Sequence, residues 1–147
     1  MVMNNILEKA FDIARNYNVA TLKDCAVVYS VSFMPNDENK INALEYVKNN
    51  PKAMMLDNTE CGKALIELGL NGKVNDVSEE ITNIWTIASS RYIKKASGNI
   101  MAFVNGADER STFCQIELGE IMNNPNITHI NNIKKDVFFS SFKSYRY

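Results

Sequence analysis

The sequence predicts an α/β fold in which a helical first half is followed by a second half that carries a small β-sheet. Apolar residues recur at helical spacing from Ile6 and again from Ile41. In the second half, a long helical pattern precedes short apolar runs of β-forming residues. We therefore expect one catalytic domain over residues 1–147, with a mainly helical lobe over 1–75 and a helix-and-sheet lobe over 76–147.

The first half contains one segment whose secondary structure is ambiguous. It follows an amphipathic helix over residues 4–17. Thr21, with Asp24 three positions later, approximates a capping box and predicts a second helix that reaches Val31. The run Val27-Val28-Tyr29 inside it also suits a strand, and both assignments stay open.

Two further helices complete the first half. The apolar pattern that starts at Ile41 predicts an amphipathic helix ending near Asn49. Thr59 is a suitable N-cap for a short helix over residues 60–68, and Gly69 would end that helix.

Residues 84–118 are the most informative stretch of the chain. Trp85 and Tyr92 lie on one apolar stripe of a helix, which Gly98 would end. The apolar run over residues 100–104 predicts a buried strand, and a turn follows it.

The alternation of polarity over residues 111–118 predicts another strand. Phe113 and Glu117 would then face the same way. Because Trp85 and Ser89 are four positions apart on one helix face, they would line a cleft with Glu117 if helix and strand pack together. The alternative interpretation is structural, with Trp85 in the core and Glu117 a solvated strand residue.

The C-terminal part predicts two more strands and a tail rich in basic and aromatic residues. Strands are expected within residues 127–133 and 137–142, after a helical turn at residues 120–122. Basic residues interleaved with aromatic ones can bind single-stranded nucleic acid, but a final strand with one core face explains the pattern better. These residues are Lys134, Lys135, Lys143, Arg146, Phe138, Phe139, Phe142, Tyr145 and Tyr147.

Composition argues against several classes of protein. Apolar residues make up 46% of the chain, and the formal net charge of −1 gives no general argument for nucleic-acid or membrane binding. No apolar run approaches the roughly 18 residues of a membrane span, and residues 1–5 lack a signal-peptide layout. The three cysteines have no CxxC spacing, so no metal site is expected.

Two motifs stand in order within residues 84–118. They are W-x-x-x-S-x-R from Trp85 to Arg91 and S-T-F-x-x-x-E from Ser111 to Glu117, separated by an apolar strand that ends at Asn105-Gly106. This ordered set resembles the ADP-ribosyl cyclase and NAD glycohydrolase family, best known from vertebrate ecto-enzymes. Residues 33–80 match that family poorly.

The resemblance implies a fold, a reaction and a set of site residues. The fold would be ADP-ribosyl cyclase-like, with a small, mainly parallel sheet in the C-terminal lobe. Glu117 would be the catalytic residue, Trp85 would shape the nicotinamide pocket, and NAD+ would be the substrate with no cofactor. The residues expected to hold the phosphate and ribose groups are Ser89, Ser111, Thr112 and Phe113.

Cleavage of NAD+ at the nicotinamide–ribose bond can be driven by one carboxylate. Nicotinamide leaves as a neutral molecule, so no general acid is needed, while positive charge builds on the ribose. At about 4 Å and an effective dielectric constant of about 20, a unit charge pair interacts by roughly 4 kcal/mol, which is on the order of a thousandfold in rate. A single glutamate can therefore dominate the reaction.

Several positions depart from the family pattern. The family's T-L-E-D segment is matched here by residues 21–24, with Lys23 in the place of the glutamate and Asp24 as a possible substitute. Leu7 occupies the place of a second pocket tryptophan, and Lys9 lies near the place of a phosphate-binding arginine. Fewer aromatic walls favour capture of water over ring closure, so we expect hydrolysis to ADP-ribose.

The setting that these features indicate is a bacterial toxin module. The disulfide-rich pattern of the extracellular relatives is missing, which favours a reducing cytosol. The start M-V-M-N-N partly resembles the V-E-N-N junction of contact-dependent inhibition proteins, so delivery within a larger secreted protein and a cognate immunity protein are expected.

Two rival functions stay open. One is a ribonuclease toxin that uses His129, the single histidine, together with the basic tail. The other is a non-catalytic nucleotide-binding module in which Glu117 performs no chemistry.

Overall fold

The computed structural model describes residues 2–30, 38–70, 79–107, 111 and 113–142. The helices are α1 (Val2–Asn16), α2 (Glu38–Asn49), α3 (Glu60–Glu67), α4 (Glu79–Lys95), α5 (Leu118–Asn123) and α6 (Lys135–Ser141). The strands are β1 (Val27–Tyr29), β2 (Gly98–Phe103), β3 (Ile127–Ile130) and β4 (Ile133–Lys134). A 3-10 turn (Leu56–Asn58) precedes α3, and a π-helical segment (Phe113–Glu117) precedes α5.

The strands form one sheet in the order β1-β2-β3-β4. β1 and β3 both pair with β2 in parallel, and only β4 is antiparallel. The predicted α/β fold with a small, mainly parallel sheet is confirmed. Because β1 comes from the first half of the chain and β2 from the second, the sheet joins the two halves; the predicted lobes over 1–75 and 76–147 stay a prediction.

Residues 21–30 do not form the helix that the capping-box pattern predicts, and Val31 lies outside the described residues. Asp24 has a φ of 64°, in the left-handed region, which a right-handed helix does not accommodate. Val27 and Val28 are buried in β1, where β-branched side chains pack well. The strand that the sequence left open for Val27-Val28-Tyr29 is the correct assignment.

The sheet separates two apolar clusters. On one face, Ile100 and Ala102 of β2 pack with α1 and α4 in the main core. On the other face, Met101 and Phe103 pack with α2, where the Tyr46 and Phe103 rings lie 5.8 Å apart. Alternation along β2 therefore gives each face its own set of side chains.

Helix α2 forms where predicted but buries a different face. Its buried residues are Asn39 and Ala43, whereas Ile41 and Leu44 are 53% and 47% exposed. The Asn39 amide donates hydrogen bonds to the Ser30 carbonyl at 3.0 Å and the Asn105 carbonyl at 2.9 Å. These polar contacts at the ends of β1 and β2 fix the rotation of α2, which the apolar pattern alone cannot indicate.

The helix boundaries agree with the predicted caps. The Thr59 hydroxyl accepts the Gly62 N–H at 3.1 Å and so caps α3. Gly69 and Gly98 follow α3 and α4 with φ values of 82° and 75°, which favour glycine.

Two predicted strands are helical in the structure. Within the alternating run over residues 111–118, Phe113–Glu117 form the π-helical segment and Leu118 begins α5. The Ser111 hydroxyl accepts the Cys114 N–H at 3.2 Å and so begins the helical turn. The run over residues 137–142 belongs mostly to α6, where Phe138 and Phe142 stack at 5.6 Å, as residues four apart on a helix can.

Candidate functional site

The carboxyl ends of the parallel strands β1 and β2 meet at one edge of the sheet, where ligands commonly bind in open α/β folds. Ser30 follows β1, and its hydroxyl donates to the Ser111 hydroxyl oxygen at 2.9 Å. Tyr29, the last residue of β1, donates its phenol hydrogen to the Asp57 carboxylate at 3.4 Å. Hydroxyl groups and one acid thus gather at the edge that the fold makes available.

Glu117 is a buried carboxyl at the end of the π-helical segment. Its residue is 7% exposed, and the segment packs against α4. Phe113, four residues earlier, is 1% exposed and makes an edge-to-face contact with Phe142 of 5.8 Å between ring centroids. The aromatic contact anchors the segment, so Glu117 is held inside the fold and not in solvent.

A second acid, Asp57, faces the same region. Burial, and after it the charge of Asp57, raises the pKa of the Glu117 carboxyl to about 8. The backbone that carries Asp57 packs closely on α3, because a Cβ on Gly62 would lie 2.0 Å from the Leu56 carbonyl oxygen. This contact and the hydrogen bond from Tyr29 therefore restrain Asp57 from two sides.

No basic side chain within the described residues forms an ion pair with Glu117. The two basic residues of α4 that have assigned contacts, Arg91 and Lys94, bind other groups. Arg91 donates to the Ala14 and Tyr17 carbonyls at the end of α1, at 2.6 and 2.8 Å. Lys94 pairs with Glu120 at 3.9 Å. Among the described residues the site therefore brings together two acids and no paired cation, an arrangement that suits a cationic ligand.

Trp85 and Ser89 lie one turn apart on α4, the helix that packs against the π-helical segment. The Trp85 indole N–H donates to the Leu70 carbonyl, and its ring is partly buried against the main core. Ser89 is buried at 5% exposure. The grouping of Trp85 and Ser89 with Glu117 as binding residues stays a prediction.

The S-T-F residues before Glu117 differ in their surroundings. The Ser111 oxygen accepts hydrogen bonds from Ser30 and from the Cys114 N–H, which leaves its own hydrogen as the group that can bind a ligand. Phe113 lies in the core. Thr112 lies outside the described residues. Binding roles for Ser111, Thr112 and Phe113 remain predictions.

Asp24, the possible substitute for the glutamate of the family's T-L-E-D segment, lies at the amino edge of the sheet. Its carboxylate accepts the Asn99 N–H at 2.7 Å, at the amino end of β2. Asp57 is the acid beside Glu117, and sequence reasoning missed it. The available signal was the pair Leu56-Asp57, a leucine followed by an acid just before the capped helix α3. Residues 21–24 match the T-L-E-D segment at three of four positions, so the sequence favoured Asp24, and only the fold places Asp57 beside Glu117.

His129 belongs to a separate open cleft at the amino edge of the sheet. The cleft has a volume of about 540 Å³ and is lined by Asp24, Tyr46, Asn99, His129 and Asn132. His129 lies opposite Asn99 in the register of β2 and β3, and its ring Nδ1 is 2.8 Å from the Thr128 hydroxyl. The structure therefore does not place the histidine with Glu117.

The predicted basic tail divides into two parts. The Lys135 ammonium donates to the Ile121 and Asn124 carbonyls at 3.3 and 2.8 Å, so it stabilises the end of α5. Residues 143–147, which supply Lys143 and Arg146, lie outside the described residues. Within the described residues, no group of three or more candidate metal ligands is found.

The described helices include none whose length and apolar content would suit a membrane span. No family model and no curated protein matches the sequence.

Solved structures show which fold this is. A point mutant of ADP-ribosyl cyclase is 19% identical with a TM-score of 0.53, and the match covers 86% of this chain and 62% of that chain. The Aplysia cyclase, solved with substrate NGD and product cGDPR, gives 16% identity, a TM-score of 0.56 and coverages of 97% and 76%. Porcine CD38 in complex with a covalent intermediate is 17% identical with a TM-score of 0.55, and the match covers 96% of this chain and 83% of that chain.

The fold is therefore ADP-ribosyl cyclase-like. This chain spans less than two thirds of the ADP-ribosyl cyclase mutant that it matches.

Proposed function

We propose that this chain is an NAD+ glycohydrolase that cleaves the nicotinamide–ribose bond to give nicotinamide and ADP-ribose. The observation that carries the proposal is the buried Glu117 carboxyl beside Asp57, in an ADP-ribosyl cyclase-like fold. NAD+ is the substrate, and the reaction uses no cofactor.

The charge of the substrate explains how a carboxyl with a raised pKa becomes a useful group. The nicotinamide ring of NAD+ is a cation, and an opposite charge nearby favours the ionised form of a carboxyl. Binding therefore drives the proton from Glu117 and leaves a carboxylate in a site with little water. That carboxylate stabilises the positive charge that develops on the ribose as the neutral nicotinamide leaves.

Asp57 takes the role that the resemblance gives to the acid of the T-L-E-D segment, which orients nicotinamide and balances cyclisation against hydrolysis. Aspartate is one methylene shorter than the glutamate of that segment, so it leaves more room for water beside the ribosyl intermediate. We expect ADP-ribose as the main product. Chromatography that shows mainly cyclic ADP-ribose would contradict this preference.

Release of nicotinamide from a fluorogenic NAD+ analogue tests the proposal directly. Glu117→Gln should lose activity by about a thousandfold, because the charge at the ribose is removed while the shape is kept. The matched control is Glu120→Gln, three residues further along the chain, whose carboxylate contacts Ser90 and Lys94. This control should retain activity within about twofold.

The same protein samples separate the rival functions. Degradation of RNA that survives Glu117→Gln would indicate the ribonuclease. Binding of NAD+ by the wild type without release of nicotinamide would indicate a non-catalytic nucleotide-binding module.

The biological role that follows is a growth-inhibiting toxin domain, delivered into a target cell as part of a larger secreted protein. Cys25, Cys61 and Cys114 are free thiols, which suits action in a reducing cytosol. A producing cell would need an immunity protein that blocks the site. Expression inside bacteria should deplete NAD+ and arrest growth, and Glu117→Gln should do neither.

A further inference from the structure

The Tyr92 hydroxyl ties together three parts of the fold that surround the two acids. Tyr92 lies on α4 and is fully buried, at 0% exposure. Its oxygen accepts the Val27 N–H at 3.0 Å and lies 2.9 Å from the Val27 carbonyl. The same hydroxyl lies 2.7 Å from the Met54 carbonyl, the shortest of the three contacts. One phenol thus links α4 to β1 and to the segment before the 3-10 turn.

Met54 is the residue through which this contact reaches Asp57. The Met54 N–H donates to the Cys25 carbonyl at 2.9 Å, and its carbonyl accepts the Val27 N–H at 3.0 Å. This parallel bridge places residue 54 beside the start of β1. Asp57 follows within the next turn of chain, so a shift of Met54 would carry the Asp57 carboxyl with it.

The phenol also lies within electrostatic reach of both acids. Burial raises the pKa of Tyr92 well above its ordinary value, the hydrogen bond from Val27 opposes this, and the charges of Glu117 and Asp57 add to the rise. Tyr92 therefore stays a neutral hydrogen-bond donor wherever the carboxyls titrate. A phenylalanine could fill the same apolar space but would remove the hydroxyl contact to the Met54 carbonyl, which leaves Met54 tied by its hydrogen bonds to Cys25 and Val27.

We propose that Tyr92 is a positioning residue whose hydroxyl holds the Met54–Asp57 segment against α4 and β1 and so sets the separation of the Asp57 and Glu117 carboxyls. The inference rests on the proposed function for its catalytic consequence. In that reaction, the separation decides how strongly Asp57 opposes ionisation of Glu117 and how firmly the nicotinamide ring is held between them.

In the part of the chain that the structure describes, the groups that bear on Glu117 come from four elements. Asp57 on the 3-10 turn and Tyr92 on α4 are close enough to interact with it electrostatically. Tyr29 on β1 acts through its hydrogen bond to Asp57. On α5, Glu120 is engaged by Ser90 and Lys94.

The test compares titration of the Glu117 carboxyl in ligand-free protein, followed by its carboxyl ¹³C signal, between wild type and Tyr92→Phe. Loss of the anchor lets Asp57 relax away, so the midpoint should fall by roughly half to one pH unit. Tyr46→Phe is the matched control, because it removes a phenol hydroxyl from a described residue of α2 that lines the cleft of His129 and makes no hydrogen bond to Met54. In Tyr46→Phe the midpoint of the Glu117 titration should equal that of the wild type.

A second comparison asks whether the effect passes through Asp57. In an Asp57→Asn background, Tyr92→Phe should cause no further shift, because the charge that it positions is gone. Steady-state kinetics should show a several-fold higher KM for NAD+ in Tyr92→Phe, with kcat changed by less than about twofold at high pH. Sucrose in the buffer strengthens apolar burial and keeps a weakened variant folded for these measurements.

An unchanged midpoint in Tyr92→Phe would overturn the inference, and so would an equal shift in Tyr46→Phe or in the Asp57→Asn background. The ¹³C titration needs no turnover. If wild-type protein releases no nicotinamide while the titration behaves as described, the proposed function fails and the positioning role of Tyr92 stands.

Discussion

The carboxyl groups of Asp57 and Glu117 lie on separate elements, a 3-10 turn and a π-helical segment, yet the charge of Asp57 opposes the ionisation of Glu117. A buried acid beside a half-buried one forms a site that favours a cation. The nicotinamide ring of NAD+ supplies such a charge. The pair therefore links substrate binding to the protonation of the residue that we expect to act on the ribose.

The dependence of activity on pH should report this pair. We expect kcat/KM to rise with pH along a limb with its midpoint near 8, because Glu117 of the free enzyme must lose a proton before it can stabilise positive charge. The limb of kcat should lie at lower pH, because the bound cation favours the carboxylate. Initial rates measured between about pH 5 and 9 give both limbs.

The matched variant for the pH profile is Asp57→Asn, which removes one charge and keeps the size of the side chain. Its kcat/KM limb should move to lower pH, since Asp57 is one of the two causes that raise the pKa of Glu117. A limb that stays in place would show that Asp57 does not act on Glu117 in solution.

Glu117→Gln should stabilise the fold, and increasingly so as the pH rises. In the unfolded chain a glutamate ionises near pH 4.3, whereas folded Glu117 keeps its proton up to about pH 8. The unfolded state releases its proton first, so wild-type stability falls across this window and levels off above it. Glutamine cannot ionise, so the difference in unfolding free energy should grow to the order of a few kcal/mol.

Thermal or urea unfolding of the wild type and of Glu117→Gln across the same pH range measures the difference in their unfolding free energies. A stability gap that does not change between about pH 5 and 8 would mean that Glu117 titrates normally. Catalytic groups are often held at such a cost to stability.

The single tryptophan provides an optical probe of binding. If the nicotinamide ring stacks on Trp85, its fluorescence should be quenched saturably when NAD+ is added to Glu117→Gln, which binds without turnover. Trp85→Ala should raise KM by roughly tenfold or more, because the stacking surface is lost. Trp85→Phe should raise KM less, since it keeps an aromatic ring and loses only the hydrogen bond to the Leu70 carbonyl. Fluorescence that does not respond to NAD+ would place Trp85 outside the pocket.

His129→Ala should leave nicotinamide release within about twofold of wild type. His129 lies in the cleft at the amino edge of the sheet, whereas Tyr29, Ser30 and Ser111 gather at the carboxyl edge. The fluorogenic assay used for Glu117→Gln measures this directly. A loss of tenfold or more would show that the reaction takes place at the amino edge of the sheet, which would contradict our assignment.

Local patterns predicted the elements whose ends are marked by short-range signals. The Thr59 cap, the glycines after α3 and α4, and the apolar run of β2 each depend on neighbours in sequence. The shared side of Phe113 and Glu117 was also predicted, although from a strand. Residues four apart face one way in a strand and lie close to one another on a helix, and both residues are buried in the structure.

Contacts between distant parts of the chain were not predictable in this way. Asp57 reaches Glu117 because Met54 bridges to the start of β1 and Gly62 lets α3 approach, and neither contact leaves a periodic pattern in the sequence. The aromatic residues after Lys135 have high strand propensity, but the stacking of Phe138 and Phe142 favours α6. Tertiary packing overrides propensity in such short segments.

The π-helical winding of residues 113–117 makes the length of this segment as important as its composition. π-helical turns are rare, and they occur frequently at functional sites. Removal of one residue from this segment would restore ordinary α-helical winding. The residues that follow the deletion would then be rotated about the helix axis by about 100° relative to those that precede it. Related sequences should therefore tolerate many substitutions in this segment but no insertion or deletion, because the number of residues in it sets where the Glu117 side chain points.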